Sequence, residues 1–215
     1  MGQHGRHGLE TERLIDADDR PFVISSKMKR LILSFFVACL LVNPVSQSLA
    51  ASEPKIEVFF SPQGGCTEAV VKALDHANST VLVQAYSFTS APIAKALVDA
   101  HKRGVKIQVI LDKSQRTEKY SEADFTAHAG IPTFIDARHQ IAHNKIIIID
   151  GQEVLTGSFN FTKAAEENNA ENLLVIQDAG LAAKYTENWR VHLEHSERYI
   201  SDKGAFADLP GKRKR

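Results

Sequence analysis

The chain has 215 residues, and its 26 Lys+Arg residues balance its 26 Asp+Glu residues, so the formal net charge at pH 7 is zero. Hydrophobic residues make up 43% and charged residues 24%, which is typical of a folded globular protein. The balanced charge excludes a protein that coats nucleic acid through bulk electrostatics, so a few well-placed cations must hold any anionic substrate. Two cysteines are too few for a disulfide-stapled miniprotein or a cysteine-rich zinc site.

Residues 28–50 have the pattern of a secretory signal peptide. Lys29 and Arg30 precede the apolar run Leu31–Val42, and a small-residue cleavage pattern ends at Ala50. The run has 12 residues, whereas a helix needs about 20 to span a bilayer. An uncleaved signal anchor and a buried core helix are the alternative interpretations.

Residues 1–27 carry several acidic residues, which signal n-regions avoid, so we interpret them as a mis-assigned upstream extension. The mature protein then begins at Ala51 and is periplasmic or secreted. It retains only Cys66, so it forms no intrachain disulfide. Residues 201–215 form a basic C-terminal tail, which is either a solvated end or a phosphate-binding patch.

Between residues 51 and 200, strand-like and helix-like segments alternate, as expected of an α/β protein. In chain order, the predicted elements are strand Ile56–Phe60, helix Thr67–Ala77 with Thr67 as N-cap, strand Thr80–Phe88, helix Pro92–Arg103, strand Val105–Leu111, a helix from the capping box at Ser121 to Ala129, strands Ile131–Ile135, Lys145–Ile149, Glu153–Thr156 and Asn172–Ile176, and helix Leu181–Glu194. Asp150-Gly151 is a hairpin turn signal, so the pattern predicts a layered α/β/α sandwich with a mixed central sheet.

Polar side chains collect around the predicted strand Lys145–Ile149. Because strand side chains alternate in direction, His143 and Lys145 share one face, at the mouth of a strand that is apolar on both faces. Ser158 and Asn160 repeat the same two-residue spacing at the end of the next strand. Together these groups supply an imidazole, an ammonium, a hydroxyl and an amide, which are donors suited to a phosphate. Asp150 has the opposite strand parity and begins the turn, so we expect no direct contact with that phosphate.

The spacing H-x-K-x4-D-x6-G-S-x-N resembles the signature of the phospholipase D superfamily. It is matched without a gap by His143, Lys145, Asp150, Gly157, Ser158 and Asn160. The flanking segments QAYSFTSAPIAKALVDAHKRGVKIQVILD and GSFNFTKAAEENNAEN resemble the small bacterial nuclease branch, and the likeness covers Ala51–Ser196. A later acidic residue of the family pattern aligns with Glu171.

The resemblance implies a phospholipase D-like fold and a metal-independent phosphodiesterase without a cofactor. One histidine attacks phosphorus to form a phosphohistidine, and a second protonates the leaving alcohol. The lysine and asparagine hold the phosphoryl oxygens, and the acid matching Glu171 orients the nucleophilic imidazole. The resemblance therefore marks His143, Lys145, Asp150, Ser158, Asn160 and Glu171 as catalytic residues.

The motif occurs once in the chain, whereas the implied chemistry needs two histidines. The other histidines of the mature chain lack the accompanying lysine and asparagine: His76, His101, His128, His139, His192 and His195. We therefore expect a two-fold homodimer that brings both copies of His143 into one cleft. We expect no metal site, because the sequence has no carboxylate-rich cluster of the kind that metal-dependent nucleases use.

Two substrate classes fit this chemistry. The first hypothesis is a nonspecific endonuclease acting on DNA or RNA, with Tyr86, Phe159 and Phe161 as candidates for base stacking, although each also fits a core position. The alternative is a phospholipase D-type hydrolase of phosphatidylcholine or cardiolipin, which favours exposed apolar loops near the cleft and a membrane lipid as partner.

Overall fold

The computed structural model describes residues 53–201, which form an eight-stranded mixed sheet with helices on both faces. The strands are β1 (Lys55–Ser61), β2 (Thr80–Ala85), β3 (Lys106–Asp112), β4 (Thr133–Asp136), β5 (Lys145–Ile149), β6 (Glu153–Gly157), β7 (Glu171–Gln177) and β8 (Glu197–Arg198). Their order across the sheet is β1-β7-β6-β5-β2-β3-β4-β8. The predicted α/β class and the mixed sheet are confirmed.

The helices divide the core into two layers. They are α1 (Cys66–Asp75), α2 (Ala91–Lys102), α3 (Ala123–His128), α4 (Lys163–Glu167) and α5 (Ala179–Glu194), with a 3-10 turn at Lys113–Arg116. Buried side chains of α1 to α4 pack on one face of the sheet, and Trp189 of α5 packs on the other. Alternate residues of β5 enter the two layers, Ile147 on the side of α1 and Ile148 on the side of α5. All five residues of β5 are buried, which confirms a central strand.

The directions of the strands determine which strand ends lie together at one edge of the sheet. β2, β3 and β4 are parallel, whereas β5 is antiparallel to β2, and β5, β6, β7 and β1 pair antiparallel in turn. The carboxyl ends of β1, β2, β3, β4 and β6 therefore lie at the same edge as the amino ends of β5 and β7. We call this the catalytic edge, because His143 immediately precedes β5 there.

The predicted hairpin between β5 and β6 is present. Asp150 and Gly151 both have positive φ angles, 54° and 64°, and Gln152 N donates to Ile149 O at 2.9 Å. Two consecutive left-handed residues make the tight turn that suits the strand twist. This turn lies at the edge of the sheet opposite the catalytic edge.

Some predicted boundaries are wrong because distant residues set them. Helix α1 begins at Cys66, so Thr67 is not its N-cap; Glu166 instead accepts hydrogen bonds from Gly65 N at 3.1 Å and Thr67 N at 2.6 Å. The predicted strand Thr80–Phe88 ends at Ala85. In the predicted capping box, Ser121 Oγ accepts from Ala123 N, but the Asp124 carboxylate accepts from Tyr199. Helix α4, strand β8 and the 3-10 turn were not predicted.

The predicted extension 1–27, signal peptide 28–50 and nearly all of the basic tail lie outside the described residues. In the part of the chain that the structure describes, no helix is both long enough and apolar enough to cross a membrane.

Candidate active site

His143 and Lys145 form the centre of the candidate site. Their positions two residues apart at the start of β5 put both side chains on one face. Lys145 Nζ lies 3.0 Å from Nδ1 and 3.1 Å from Nε2 of His143, and it donates to the His143 carbonyl at 2.8 Å. The imidazole is exposed, whereas Lys145 is only 6% exposed. The pair therefore presents an accessible ring backed by a buried cation.

Burial lowers the pKa of Lys145, and Glu171 opposes that shift by favouring the charged ammonium. Among the described residues, no carboxylate lies within ion-pair distance of this ammonium. A buried cation without a contacting anion carries a desolvation cost, which a bound phosphate would offset.

Tyr86, the residue after β2, packs against His143 and Lys145. Its ring centroid lies 4.6 Å from that of His143, and Lys145 Nζ lies 5.1 Å from the Tyr86 centroid. Tyr86 N also donates to Asn144 O at 2.8 Å, which ties the end of β2 to the residue between the catalytic pair. Tyr86, predicted as a possible base-stacking residue, thus contacts the catalytic pair itself.

The end of β6 provides the remaining donors. At Gly157 a Cβ would lie only 2.2 Å from Asn172 O, so β6 approaches β7 here more closely than a side chain allows. Ser158 Oγ accepts from Asn172 N at 3.0 Å, which leaves its hydroxyl proton for a ligand. Asn160 Oδ1 is buried without a hydrogen-bond partner among the described residues. If the side-chain amide of Asn160 is flipped by 180°, its NH2 group faces the cavity and can donate to a phosphate oxygen.

These groups line one cavity of about 400 Å³ at the catalytic edge. Its lining consists of His143, Lys145, Gly157, Ser158, Asn160 and Glu171. Glu171 accepts from Asn169 Nδ2 at 3.3 Å, and no hydrogen bond joins it to His143 in the described chain. The structure thus brings together five of the six predicted catalytic residues.

Asp150 is the exception, and its inclusion among the catalytic residues is corrected. It follows the far end of β5, roughly 16 Å along the strand from Lys145. Its carboxylate accepts from the backbone N–H groups of Asn78, Ser79 and Thr80 at 2.8–2.9 Å. Asp150 therefore joins the β5–β6 turn to the start of β2 and does not contact a phosphate in the cavity.

The phenylalanines of the motif segment are also structural. Phe159 and Phe161 have no exposed surface and belong to the core on the side of α1. Neither is available for stacking on bases, so that prediction is wrong for these two residues. They hold the loop that carries Ser158 and Asn160.

A further group of side chains of metal-ligand type, which sequence reasoning missed, lies outside the cavity. One ligand atom from each of Asp136, His139, His192 and His195 lies within 4.8 Å of the others. The four residues span up to 59 positions, so their grouping depends on the fold. The only local sign is the His192-x-x-His195 spacing, which puts two imidazoles on one helix face.

Residues 70–192, which include every predicted catalytic residue, match the family described as cardiolipin synthase, PLD-like domain. The chain belongs to the phospholipase D superfamily. Its relatives in this superfamily place it among enzymes of the hydrolase class. The predicted phospholipase D-like fold is confirmed by a solved structure, Nuc from Salmonella typhimurium, a phospholipase D family member. That structure matches with a TM-score of 0.67 and 41% identity, covering 69% of this chain and all of the other.

Curated relatives of this superfamily member carry lipid-related names. A phospholipase D of Rickettsia felis is 42% identical over 161 residues, covering 68% of this chain and 80% of the relative. A mitochondrial cardiolipin hydrolase of Mus musculus is 32% identical over 178 residues, covering 70% of this chain and 77% of the relative.

Proposed function

We propose that this protein is a metal-independent endonuclease that hydrolyses phosphodiester bonds of DNA or RNA with little sequence preference. The observation that carries the chemistry is the single cavity in which His143, Lys145, Ser158, Asn160 and Glu171 meet. An exposed imidazole beside a buried cation and two neutral donors suits nucleophilic attack on a bound phosphate.

In the proposed reaction, a nitrogen of His143 attacks phosphorus while the bond from phosphorus to the leaving oxygen breaks. A second imidazole gives its proton to that oxygen. Water then attacks the phosphohistidine, gives a proton back to the second imidazole, and releases the phosphate product together with free His143. Lys145 and Asn160 stabilise the charge on the phosphoryl oxygens, and Glu171 acts on the orientation of His143.

Cations beyond the cavity favour nucleic acid as the substrate. Lys113 follows β3, and Arg138 lies in the loop after β4, so both exposed side chains lie at the catalytic edge. Lys113 Nζ donates to His139 O at 3.1 Å. Two exposed cations beyond the cavity suit a substrate that carries several phosphates better than a single lipid headgroup.

The alternative is a phospholipase D-type lipid hydrolase, and one observation favours it. Ile141 is 54% exposed and lies two residues before His143, where an apolar side chain could touch a lipid surface. The names of the relatives from Rickettsia felis and Mus musculus point the same way. We rank this second because Lys113 and Arg138 supply further cations at the catalytic edge.

We also propose that the active form is a homodimer. One chain supplies one His143, and the second imidazole must come from the opposite side of the phosphorus. The edge strand β1 exposes an apolar stripe on alternate residues, Ile56, Val58 and Phe60, at 53%, 49% and 66%. Phe60 pairs with Asn172, next to Glu171 of the cavity. A second copy would cover this stripe and bring in the second histidine.

Residues 28–50 support the further proposal that the enzyme is exported and works in the periplasm or outside the cell. Cell fractionation with detection of the mature N-terminus tests this. A protein that stays in the cytoplasm with residues 28–50 attached would refute it.

Assays of the purified full chain on plasmid DNA, RNA, phosphatidylcholine vesicles and cardiolipin vesicles, all with excess EDTA, test the proposed function. We expect the protein to cleave nucleic acid in the presence of EDTA when the assay temperature is well below the unfolding temperature of the protein. His143→Ala should reduce turnover on the order of 10⁴-fold or more, because the nucleophile is lost. The matched control, His128→Ala at the exposed end of α3, should keep wild-type activity.

Each other outcome has a definite meaning. Hydrolysis of lipid without nucleic-acid cleavage would establish the alternative substrate. Near-wild-type turnover by folded His143→Ala would refute the nucleophile assignment. Loss of all activity in EDTA, with the protein still folded and activity restored by Mg²⁺, would refute metal independence.

A further inference from the structure

Three imidazoles surround one buried carboxylate, and none of the four residues lines the cavity at the catalytic edge. Asp136 ends β4 and has no exposed surface. His139 lies in the loop after β4, His192 in the last turn of α5, and His195 at the C-cap of α5. Asp136 Oδ2 lies 3.0 Å from His139 Nδ1, 2.8 Å from His192 Nδ1 and 3.3 Å from His195 Nε2. We call these residues the His3Asp cluster.

Three imidazole nitrogens and one backbone N–H converge on the Asp136 carboxylate. The three nitrogens face Oδ2, and His139 Nδ1 also lies 3.2 Å from Oδ1, which accepts from Arg138 N at 3.1 Å. As hydrogen bonds, these contacts need a proton on every one of the three facing ring nitrogens. The rings also crowd one another, with centroids 4.9–5.5 Å apart. One divalent cation would replace several protons at the centre of the group.

The ligand spacing suits a small tetrahedral ion. Bonds of about 2.0–2.1 Å to four tetrahedral ligands put the ligand atoms roughly 3.3 Å apart. The three distances from imidazole nitrogens to Asp136 Oδ2 run from 2.8 to 3.3 Å, and all four ligand atoms lie within 4.8 Å of one another. Only small movements are needed to enclose an ion.

From this geometry we propose that the His3Asp cluster binds one Zn²⁺ per chain as a structural ion. Nitrogen-rich ligands favour zinc, whereas Ca²⁺ and Mg²⁺ require mostly oxygen ligands. Four protein ligands fill a tetrahedral shell and leave no position for a reacting water. The zinc therefore has no part in the phosphodiester chemistry, and its presence is independent of the proposed substrate.

The cluster joins the end of α5 to the loop after β4. His192 and His195 belong to α5, which Trp189 anchors to the sheet through a hydrogen bond from its Nε1 to Val83 O at 2.9 Å. His139 belongs to the loop that leads to His143. A metal held by both elements restrains that loop four residues before the catalytic imidazole.

Metal analysis of the untagged full chain tests the proposal. The protein is stripped with a chelator, dialysed, and titrated with Zn²⁺ and, separately, with Co²⁺. We expect one zinc per chain by elemental analysis, visible absorption typical of tetrahedral Co²⁺, and a rise in unfolding temperature with added zinc.

His195→Gln should weaken zinc binding by at least 10–100-fold, an order-of-magnitude estimate, and should remove the thermal shift. The matched control His128→Gln should bind zinc as the wild type does, because His128 lies outside the cluster. His139→Gln, at a position whose side chain is 44% exposed, serves as the second variant if His195→Gln does not fold. Substoichiometric zinc in the wild type, or equal binding by cluster variants and the control, would overturn the proposal.

Discussion

Asp150 shows at the scale of single residues how an acidic motif position can serve the fold. Its carboxylate accepts from three successive backbone N–H groups and from Ser79 Oγ at 2.8 Å. Burial raises the pKa of Asp150, but the hydrogen bonds outweigh it and hold the pKa below its ordinary value. The ionised carboxylate therefore contributes to folding stability.

Asp150→Ala should destabilise the protein by about 1–3 kcal/mol at neutral pH, since three backbone donors lose a charged partner that is partly exposed. The folded pKa is depressed, so this stabilisation is present above the ordinary aspartate value, about 3.9. It is lost as the pH falls through the lower folded pKa. Urea unfolding at several pH values measures the difference between wild type and variant.

The activity of folded Asp150→Ala should equal that of the wild type, because the residue lies far from the cavity. A stability difference that did not shrink in acid would contradict the role of the ionised carboxylate. A large fall in kcat with stability unchanged would return Asp150 to the catalytic residues.

At the scale of elements, the junction of β6 and β7 positions the phosphate donors. Gly157 pairs with Leu173, and the next residue along, Ser158, binds Asn172 through its hydroxyl oxygen. The two strands approach closely because position 157 carries no side chain. The spacing of two strands therefore determines where Ser158 and Asn160 lie relative to Lys145.

Gly157→Ala should cost roughly 1–3 kcal/mol of stability, because its Cβ would meet the backbone of Asn172. The strands must separate, and a shift of about 1 Å at the donors should lower kcat/KM on the order of 10²-fold. Thermal unfolding and steady-state kinetics measure both effects.

Gly151→Ala is the matched control. The φ of Gly151 is positive, but a Cβ at this position meets nothing within 4 Å. The substitution should therefore cost only about 1 kcal/mol of stability and leave activity unchanged. If the two variants lost the same stability and activity, the close approach at Gly157 would not be the cause.

At the scale of the whole molecule, the site of one chain is half of what the proposed chemistry requires. The described chain contributes one cavity with one exposed imidazole. The apolar stripe on β1 is the exposed surface that we assign to the dimer interface. A shared cleft makes activity depend on assembly.

Mixed dimers of wild-type and His143→Ala chains should lose most activity, because the shared cleft then has either a nucleophile or an acid but not both. Heterodimers purified through two different tags, with subunit exchange excluded, are assayed against both homodimers. Half of the wild-type activity per dimer would show independent sites and refute the shared cleft. Phe60→Asp, which places a charge in the stripe, should yield an inactive monomer with its own six cavity residues intact.

Local sequence patterns were enough for most of the elements, and the resemblance of the motif to the superfamily signature implied the chemistry. The apolar run of β5, the Asp150-Gly151 turn and most helices follow from periodicity and backbone preference, which depend on near neighbours in the chain. The motif spacing also placed His143 and Lys145 on one strand face and Ser158 and Asn160 after the next strand, because side chains alternate along strands.

Only the tertiary structure decided which distant residues meet. Glu166 caps α1, Tyr86 contacts His143, and Asp136 gathers three histidines from a loop and a helix end. Such contacts depend on strand order, register and the docking of α5, which arise from packing of the whole core and leave no mark in short sequence windows. Strand parity had already predicted that Asp150 does not touch the phosphate, but only the fold shows that its carboxylate binds the start of β2, at the end of β5 opposite the cavity.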